Sequence, residues 1–213
     1  MKSKLFVMLF AGTMAASLGA AETFRLDADD TIVDRKSLPI LLTGKAVRKV
    51  DAAGKGAIQL RGKNFRTFQI PNDGKIINPY GGKISFRFKP YFTVKKPGDA
   101  WTVYPILSLY SSEPKSGFHL NLTHHKGEYT FSFMSFDAGK KQCSRGLKLK
   151  FVPDRWYDAA VSWDDTGIEM TLDDQKFFIR SNGALRIGNN KFFTIGSGNP
   201  DIEVMDFVIS DSK

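Results

Sequence analysis

Short segments in which apolar and polar residues alternate follow one another along most of the chain. Ile84, Phe86 and Phe88, for example, are separated by the polar residues Ser85 and Arg87. The same alternation recurs in segments 118–123, 129–133, 147–151, 157–163 and 168–172. Because successive side chains of a β-strand point to opposite faces, each segment predicts a strand with one buried face and one solvated face.

Turn residues separate these segments, and helical spacing of apolar residues is not sustained after residue 21. Asp-Asp-Thr-Gly at 164–167 and Asp-Asp-Gln at 173–175 predict two tight turns that link three strands into consecutive hairpins. About eleven to thirteen strands with one apolar face each would close as two packed sheets. The sequence therefore predicts a single all-β sandwich domain over residues 22–213, with little or no helix.

The run 153–176, from Pro-Asp-Arg-Trp to Asp-Asp-Gln-Lys, resembles the central hairpin of concanavalin A-like lectin/glucanase domains, in their laminin-G-like branch. Segments 57–62, 82–90, 193–196 and 201–209 resemble other strands of that family. The resemblance implies an antiparallel jelly-roll sandwich. Members of this superfamily include sugar-binding lectins, glycan hydrolases and protein-binding modules, so the fold does not decide the function.

Residues 1–21 have the features of a secretory signal peptide. Lys2 and Lys4 precede an apolar stretch at 5–11, and Gly-Ala-Ala at 19–21 provides small residues for cleavage. The apolar stretch is too short for a membrane-spanning anchor. We expect cleavage near Ala21 and a secreted or periplasmic bacterial protein that does not span the membrane.

The chain is basic, with a formal charge of +9 at pH 7 that falls to +7 without Lys2 and Lys4. Export makes nucleic acid an unsuitable partner, whereas acidic polysaccharide, anionic lipid headgroups and cell-wall polymers are all attracted by such a charge. The lysines are scattered along the sequence and not massed in one run, so we favour a basic surface that only aids solubility over a dedicated basic patch.

Cys143 is the single cysteine, which excludes an internal disulfide and fits bacterial export. It lies between Gly139 and Gly146, and this composition predicts a loop. Without evidence of a histidine partner, we interpret it as an incidental residue and not as a nucleophile.

Glycan hydrolysis uses two carboxyl groups about 5 to 10 Å apart. The Glu-x-Asp-x-x-Glu motif of the hydrolytic superfamily members is missing from the sequence. Glu169 and Asp173 share a strand face, but their spacing places them about 13 Å apart. We therefore expect Glu169 on a solvated face and Asp173 in a turn, and we favour a non-catalytic protein.

Metal binding is left open by the sequence. His119, His124 and His125 are close in sequence, but an extended strand separates them too widely for a zinc site. Calcium binding is common in the family that the chain resembles, and loops supply oxygen ligands for such sites. The available acids are Asp99, Asp137, Asp164, Asp165, Asp201 and Glu203.

Sugar binding needs an aromatic plane and a few orienting polar groups. Trp101, Tyr104 and Tyr110 offer aromatic surface, and Tyr91 lies near them in sequence. Arg87, His119 and Asn121 occupy the polar faces of strands that we expect to be adjacent. In the alternative interpretation, Trp101 and Tyr104 pack at a sandwich edge; Trp156 and Trp163 are assigned to the core.

Three functions remain compatible with the sequence. The first is an exported, non-catalytic, lectin-like module that binds carbohydrate, with acidic polysaccharide as one ligand class. The second is a module for protein interaction or cell-envelope structure, with envelope proteins as partners. The third is a glycan hydrolase whose acids converge from separate strands. The sequence leaves open whether residues 22–56 add strands or cover an edge.

Overall fold

The protein is almost entirely β-structure. A computed structural model describes residues 22–26, 41–43, 47–52, 55–60, 67–71, 76–91, 102–112, 115–126, 128–137, 140–149, 152, 154–180, 192–196 and 202–211. No helix occurs in these residues, and all of their strand pairs are antiparallel. The predicted fold class, an all-β sandwich of two antiparallel sheets, is confirmed. Over the same ranges the structure contains no apolar helix able to span a bilayer.

Fifteen strands form two sheets in the described part of the chain. They are β1 (Glu22–Leu26), β2 (Leu41–Thr43), β3 (Val47–Ala52), β4 (Lys55–Leu60), β5 (Thr67–Pro71), β6 (Gly82–Pro90), β7 (Thr102–Ser112), β8 (Lys115–His125), β9 (Glu128–Asp137), β10 (Lys140–Leu149), β11 (Tyr157–Trp163), β12 (Gly167–Leu172), β13 (Gln175–Arg180), β14 (Phe192–Ile195) and β15 (Ile202–Asp211). The eight-stranded sheet has the order β13-β12-β11-β6-β15-β4-β3, and β1 also pairs with β15. The seven-stranded sheet has the order β10-β9-β8-β7-β14-β5-β2.

The alternation of the sequence places one face of each sheet in the core. β6 and β11 bury every second residue along their length. Phe88 of the eight-stranded sheet stacks on Phe131 of the seven-stranded sheet, with ring centroids 5.8 Å apart, and Phe207 stacks on Phe193 at 6.2 Å. Because the apolar faces meet in this way, the polar faces of the two sheets point to opposite sides of the sandwich.

The hairpins predicted between residues 157 and 180 form as expected. The Asp164 carboxylate accepts hydrogen bonds from the Thr166 hydroxyl at 2.6 Å and from the backbone N–H groups of Thr166 and Gly167. The hydroxyl bond first, and then these two amide bonds, hold the pKa of Asp164 below its usual value. Asp173 forms the second turn with a φ of 50°, a conformation that Asp tolerates better than most residues.

Two sequence expectations need correction. The described residues hold more strands than the eleven to thirteen predicted, since the weakly alternating segment 22–56 supplies β1 and β3 to one sheet and β2 to the other. Cys143 lies in strand β10, opposite Ser135, and not in a loop. Gly146 of the same strand lies so close to Thr130 and Phe131 on β9 that a side chain would collide with them, so this glycine marks close strand packing and not a turn.

Residues 1–21 lie outside the described residues. The signal peptide, its cleavage near Ala21 and the boundaries of the 22–213 domain therefore remain predictions from the sequence.

Candidate functional site

The six residues predicted to bind ligand do not come together in one place. Arg87 lies on the outer face of β6 in the eight-stranded sheet, whereas His119 and Asn121 lie on the outer face of β8 in the seven-stranded sheet. The expectation that these strands are adjacent is wrong, because the chain passes from one sheet to the other between β6 and β7. The two sets of polar side chains face opposite sides of the sandwich.

Of the three aromatic residues predicted to bind ligand, Tyr104 alone has a described side chain. Tyr104 is half-buried and packs against the core, in register with Leu122 of β8. Tyr110 is paired with Gly117, and its side chain lies outside the described residues, as does the whole of Trp101.

The polar face of the seven-stranded sheet is largely buried around Asn121, whose side chain is 2% exposed. His119 Nδ1 lies 2.9 Å from the Ser108 hydroxyl, and burial lowers the pKa of His119. His124 points instead into the core, where its ring lies 4.6 Å from that of Tyr129. The described residues contain no group of three histidine, cysteine or acidic side chains suited to a metal ion.

A shallow depression of about 320 Å³ lies on the outer face of the eight-stranded sheet, and we call it the Arg87 cleft. Small side chains form its floor, Ser85 on β6 and Ala160 on β11. The other side chains at its outer-facing wall are Arg87, Asp158, Thr171, Asp173 and Asp206. A second depression of about 430 Å³ adjoins the β8–β9 turn, beside His125, Lys126 and Glu128.

Arg87 is the central polar group of the cleft. Its Nε lies 2.9 Å from Asp158 Oδ1 on the neighbouring β11, and its Nη1 lies 3.9 Å from Asp206 Oδ2 on β15. Nη1 also donates a long hydrogen bond of 3.5 Å to Met205 Sδ. Two carboxylates and a thioether thus restrict the orientation of the guanidinium group.

A β-bulge brings Asp206 to the cleft. The register between β15 and β6 shifts between Met205 and Val208, and Asp206 adopts a φ of 51° inside this irregularity. Bulges often redirect a side chain next to a functional site, and non-glycine residues at positive φ are uncommon. Local backbone geometry, and not simple alternation, therefore places this carboxylate next to Arg87.

Trp156 lies immediately before β11 and beside Arg87, next to the residues that line the cleft. The Arg87 guanidinium lies 5.6 Å and the Lys89 ammonium 5.2 Å from its ring centroid. From the sequence, we expect both Trp156 and Trp163 in the core. This is wrong for Trp156, which is half-buried, and confirmed for Trp163, which is 3% exposed. Tyr157 points into the core, so the preceding residue must point outward.

A buried ion pair supports this end of the cleft. Glu203 is 1% exposed, although it lies on the outer face of β15, and its Oε2 is 2.9 Å from Lys89 Nζ. Gln59 Nε2 donates a hydrogen bond of 3.1 Å to Glu203 Oε1. Burial acts to lower the pKa of Lys89, but hydrogen bonds to Tyr91 and Glu203 and the charge of Glu203 outweigh it, so the pKa is raised.

The acids first considered for hydrolysis are occupied by structural partners. Glu169 pairs with Lys176 at 2.6 Å, on the outer face of β12. Asp173 lies in the turn after β12, pairs with Arg155 at 2.7 Å and accepts a hydrogen bond from the Asp158 backbone N–H. Both positions agree with the expected solvated face for Glu169 and the expected turn for Asp173.

Sequence reasoning found Arg87 and missed the groups around it. Alternation along β11 does place Asp158 outward, and it places Trp156 outward as well, so these two residues carried a usable signal. The sequence gives no indication of the position of Asp206, since that position depends on the β-bulge in β15. The assembled site offers carboxylate acceptors, a restrained guanidinium and an indole ring on an accessible sheet face.

Comparisons with known proteins show the fold. No protein-family model and no curated protein sequence matches this chain. The chain is structurally similar to the receptor-binding domain of botulinum neurotoxin mosaic serotype C/D, with a TM-score of 0.65 and 14% identity over 91% of this chain and 48% of that one. It thus spans about half the length of that domain.

Two further solved structures share the sandwich. One comes from a study of cell entry by botulinum neurotoxin type C and its dependence on two ganglioside molecules, with a TM-score of 0.63 and 13% identity over 91% of this chain and 49% of that one. The other is domain 4 of an extracellular GH43 arabinanase from Geobacillus stearothermophilus in complex with arabinotriose. Its TM-score is 0.62, with 15% identity over 91% of this chain and 93% of that domain.

Proposed function

We propose that this protein is an exported carbohydrate-binding module that holds its glycan in the Arg87 cleft. The observation that carries the proposal is the meeting of Arg87, Asp158 and Asp206 with the half-buried ring of Trp156 on one accessible sheet face. Sugar sites combine an aromatic surface for the C–H face of the ring with a few fixed polar groups. The cleft supplies the polar groups, and Trp156 beside it supplies the aromatic ring.

The structural neighbours support a carbohydrate ligand. The arabinanase domain was solved with arabinotriose, and the neurotoxin study names ganglioside molecules. The proposal includes the laminin-G-like branch of the superfamily, which the predicted and observed hairpin at 157–172 supports. It also includes removal of residues 1–21 and a secreted or periplasmic location, which the N-terminal sequence supports.

Affinity electrophoresis tests the proposal. The purified protein is run through native gels that contain individual polysaccharides, with and without calcium, which settles the calcium question left open by the sequence. Trp156→Ala should weaken retardation about tenfold or more, because buried tryptophans contribute the largest losses at binding sites. Tyr80→Ala is the control, since Tyr80 is a 76% exposed aromatic residue on the turn before β6, at the opposite end of this strand from Arg87 and Lys89.

If none of the polysaccharides retards the protein, the proposal is contradicted and a module that binds envelope proteins is favoured. Equal weakening by the two substitutions would show that the cleft is not the binding site.

One observation favours hydrolysis as the second candidate function. Asp158 and Asp206 approach the same guanidinium group at 2.9 and 3.9 Å, which keeps the carboxylates within the separation of about 10 Å used by glycosidases. A general acid, however, is normally held protonated by an apolar pocket, and the Asp158 side chain is 71% exposed. A hydrolase would release reducing ends from a bound polysaccharide and lose this activity in Asp158→Asn, whereas a binding module releases none.

A further inference from the structure

We infer that the Arg87 cleft selects a neutral, hydroxyl-rich glycan and rejects a polyanionic one, an inference that rests on the proposed function. It concerns the charge of the cleft itself, which differs from that of the whole chain. Arg87 in the cleft, and Lys89 and Arg155 beside it, are each paired with a carboxylate. The pairs are Arg87 with Asp158 and Asp206, Lys89 with Glu203, and Arg155 with Asp173.

The ionisable residues that line the described cleft are three carboxylates, Asp158, Asp173 and Asp206, and one cation, Arg87, so the cleft is acidic although the chain carries +9. The charge nearest to solvent is also negative. Asp158 is 71% exposed against 37% for Arg87, so an approaching ligand meets the carboxylate before the guanidinium. A uronate or sulfate group placed there would lie against a like charge.

Sugar hydroxyls fit the same groups. A carboxylate has two acceptor oxygens, and hydrogen bonds to an ionised acceptor are stronger than those between neutral groups. Ser85 and Thr171 add hydroxyl groups at the floor and wall. Because Asp158, Asp206 and Met205 already hold the guanidinium, little side-chain entropy is lost when a ligand binds.

The scattered lysines elsewhere on the chain change this balance little. Charges more than about 8 Å apart are largely screened at physiological ionic strength. Binding of a neutral glycan in the cleft should therefore be almost independent of salt, whereas attraction of a polyanion to the basic surface should fall steeply as salt rises.

The test compares a neutral polysaccharide that retards the protein with a uronate-containing polysaccharide, at low and high salt. Asp158→Asn removes one exposed carboxylate charge from the cleft, and we expect it to weaken binding of the neutral polysaccharide about threefold or more. Asp165→Asn is the matched control, because Asp165 is also exposed but lies in the β11–β12 turn, away from the cleft. It should leave the affinity unchanged.

Stronger binding of the uronate polysaccharide than of the neutral one at high salt, where attraction to the basic surface is screened, would overturn the inference and leave the proposed function standing. Equal effects of Asp158→Asn and Asp165→Asn would overturn it as well. Binding of neither polysaccharide would overturn the proposed function, and this inference with it.

Discussion

Glu203 offers the sharpest test of how the cleft is supported. Its carboxylate is 1% exposed and has two partners, Lys89 at 2.9 Å and Gln59 at 3.1 Å. Glu203→Ala would leave the Lys89 ammonium partly buried, with its side chain 17% exposed, and without its carboxylate. Removal of one partner from a fully buried pair costs about 3 to 5 kcal/mol, and the partial exposure of Lys89 lowers our expectation to about 2 to 4 kcal/mol.

Urea unfolding at pH 7, followed by tryptophan fluorescence, measures this loss. With an m-value of about 2 to 3 kcal/mol/M, the midpoint should fall by about 1 M and the slope should stay the same. The matched control is a double-mutant cycle with Lys89→Ala, in which the double variant should lose less stability than the two single changes added together.

Unfolding at alkaline pH provides an independent check that the Lys89–Glu203 pair stabilises the folded protein. The raised pKa of Lys89 means that its charged form adds stability below the unfolded value of 10.5, and that this stability disappears as pH rises through the folded value. The difference between the native protein and Glu203→Ala should therefore shrink above pH 10.5. A cost below about 1 kcal/mol, or a difference that does not change with pH, would refute this reasoning.

Three other predictions concern the seven-stranded sheet. Burial lowers the pKa of His119 from 6.5, so the unfolded chain binds a proton more readily, and the protein loses stability as pH falls below 6.5. His119→Gln should therefore flatten the decline of the urea midpoint between pH 7 and 5. A midpoint that falls with pH as steeply as in the native protein would contradict this. Gly146→Ala should cost about 1 to 3 kcal/mol in urea unfolding, because its Cβ would overlap Thr130 Cγ2 and lie 2.7 Å from Phe131 O, whereas a cost within about 0.5 kcal/mol would show that β9 and β10 can separate freely. Burial, and then the nearby Tyr104, raises the pKa of Tyr129 to about 12. Absorbance at 295 nm should therefore show a late tyrosine titration that is lost in Tyr129→Phe, and an unchanged late titration in this variant would contradict the assignment.

The sequence predicted the strands that alternate strongly and the side on which their apolar residues lie. Phe86, Phe88 and Val161 are buried as expected, because burial of one sheet face dictates a period of two. The sequence could not predict which polar faces belong together. Arg87 on β6 and His119 on β8 both occupy polar positions on long alternating strands, but only sheet topology shows that they face opposite sides of the sandwich.

In the candidate site, too, alternation predicts some positions, whereas others depend on register and backbone geometry. Alternation continued back from β11 would have placed Trp156 and Asp158 outward, since Tyr157 between them is buried. The core assignment of Trp156 rests on its place at the opening of the strand and not on alternation. Asp206 depends on the bulge between Met205 and Val208, which a single sequence does not reveal. Glu203 is buried on an outward-facing position because Lys89 and Gln59 pair with it across neighbouring strands, and such pairs appear only once the register is known.

The central claim, that glycan binds at the Arg87 cleft, is tested most directly by NMR of the tryptophan indole N–H groups. The chain has only three tryptophans, Trp101, Trp156 and Trp163, so three indole signals can be assigned by single substitutions to phenylalanine. Titration with a polysaccharide fragment that retards the protein should shift the Trp156 signal and leave that of the buried Trp163 in place. A shift of the Trp101 signal alone, or a Trp156 signal that does not move while the glycan binds, would contradict the account.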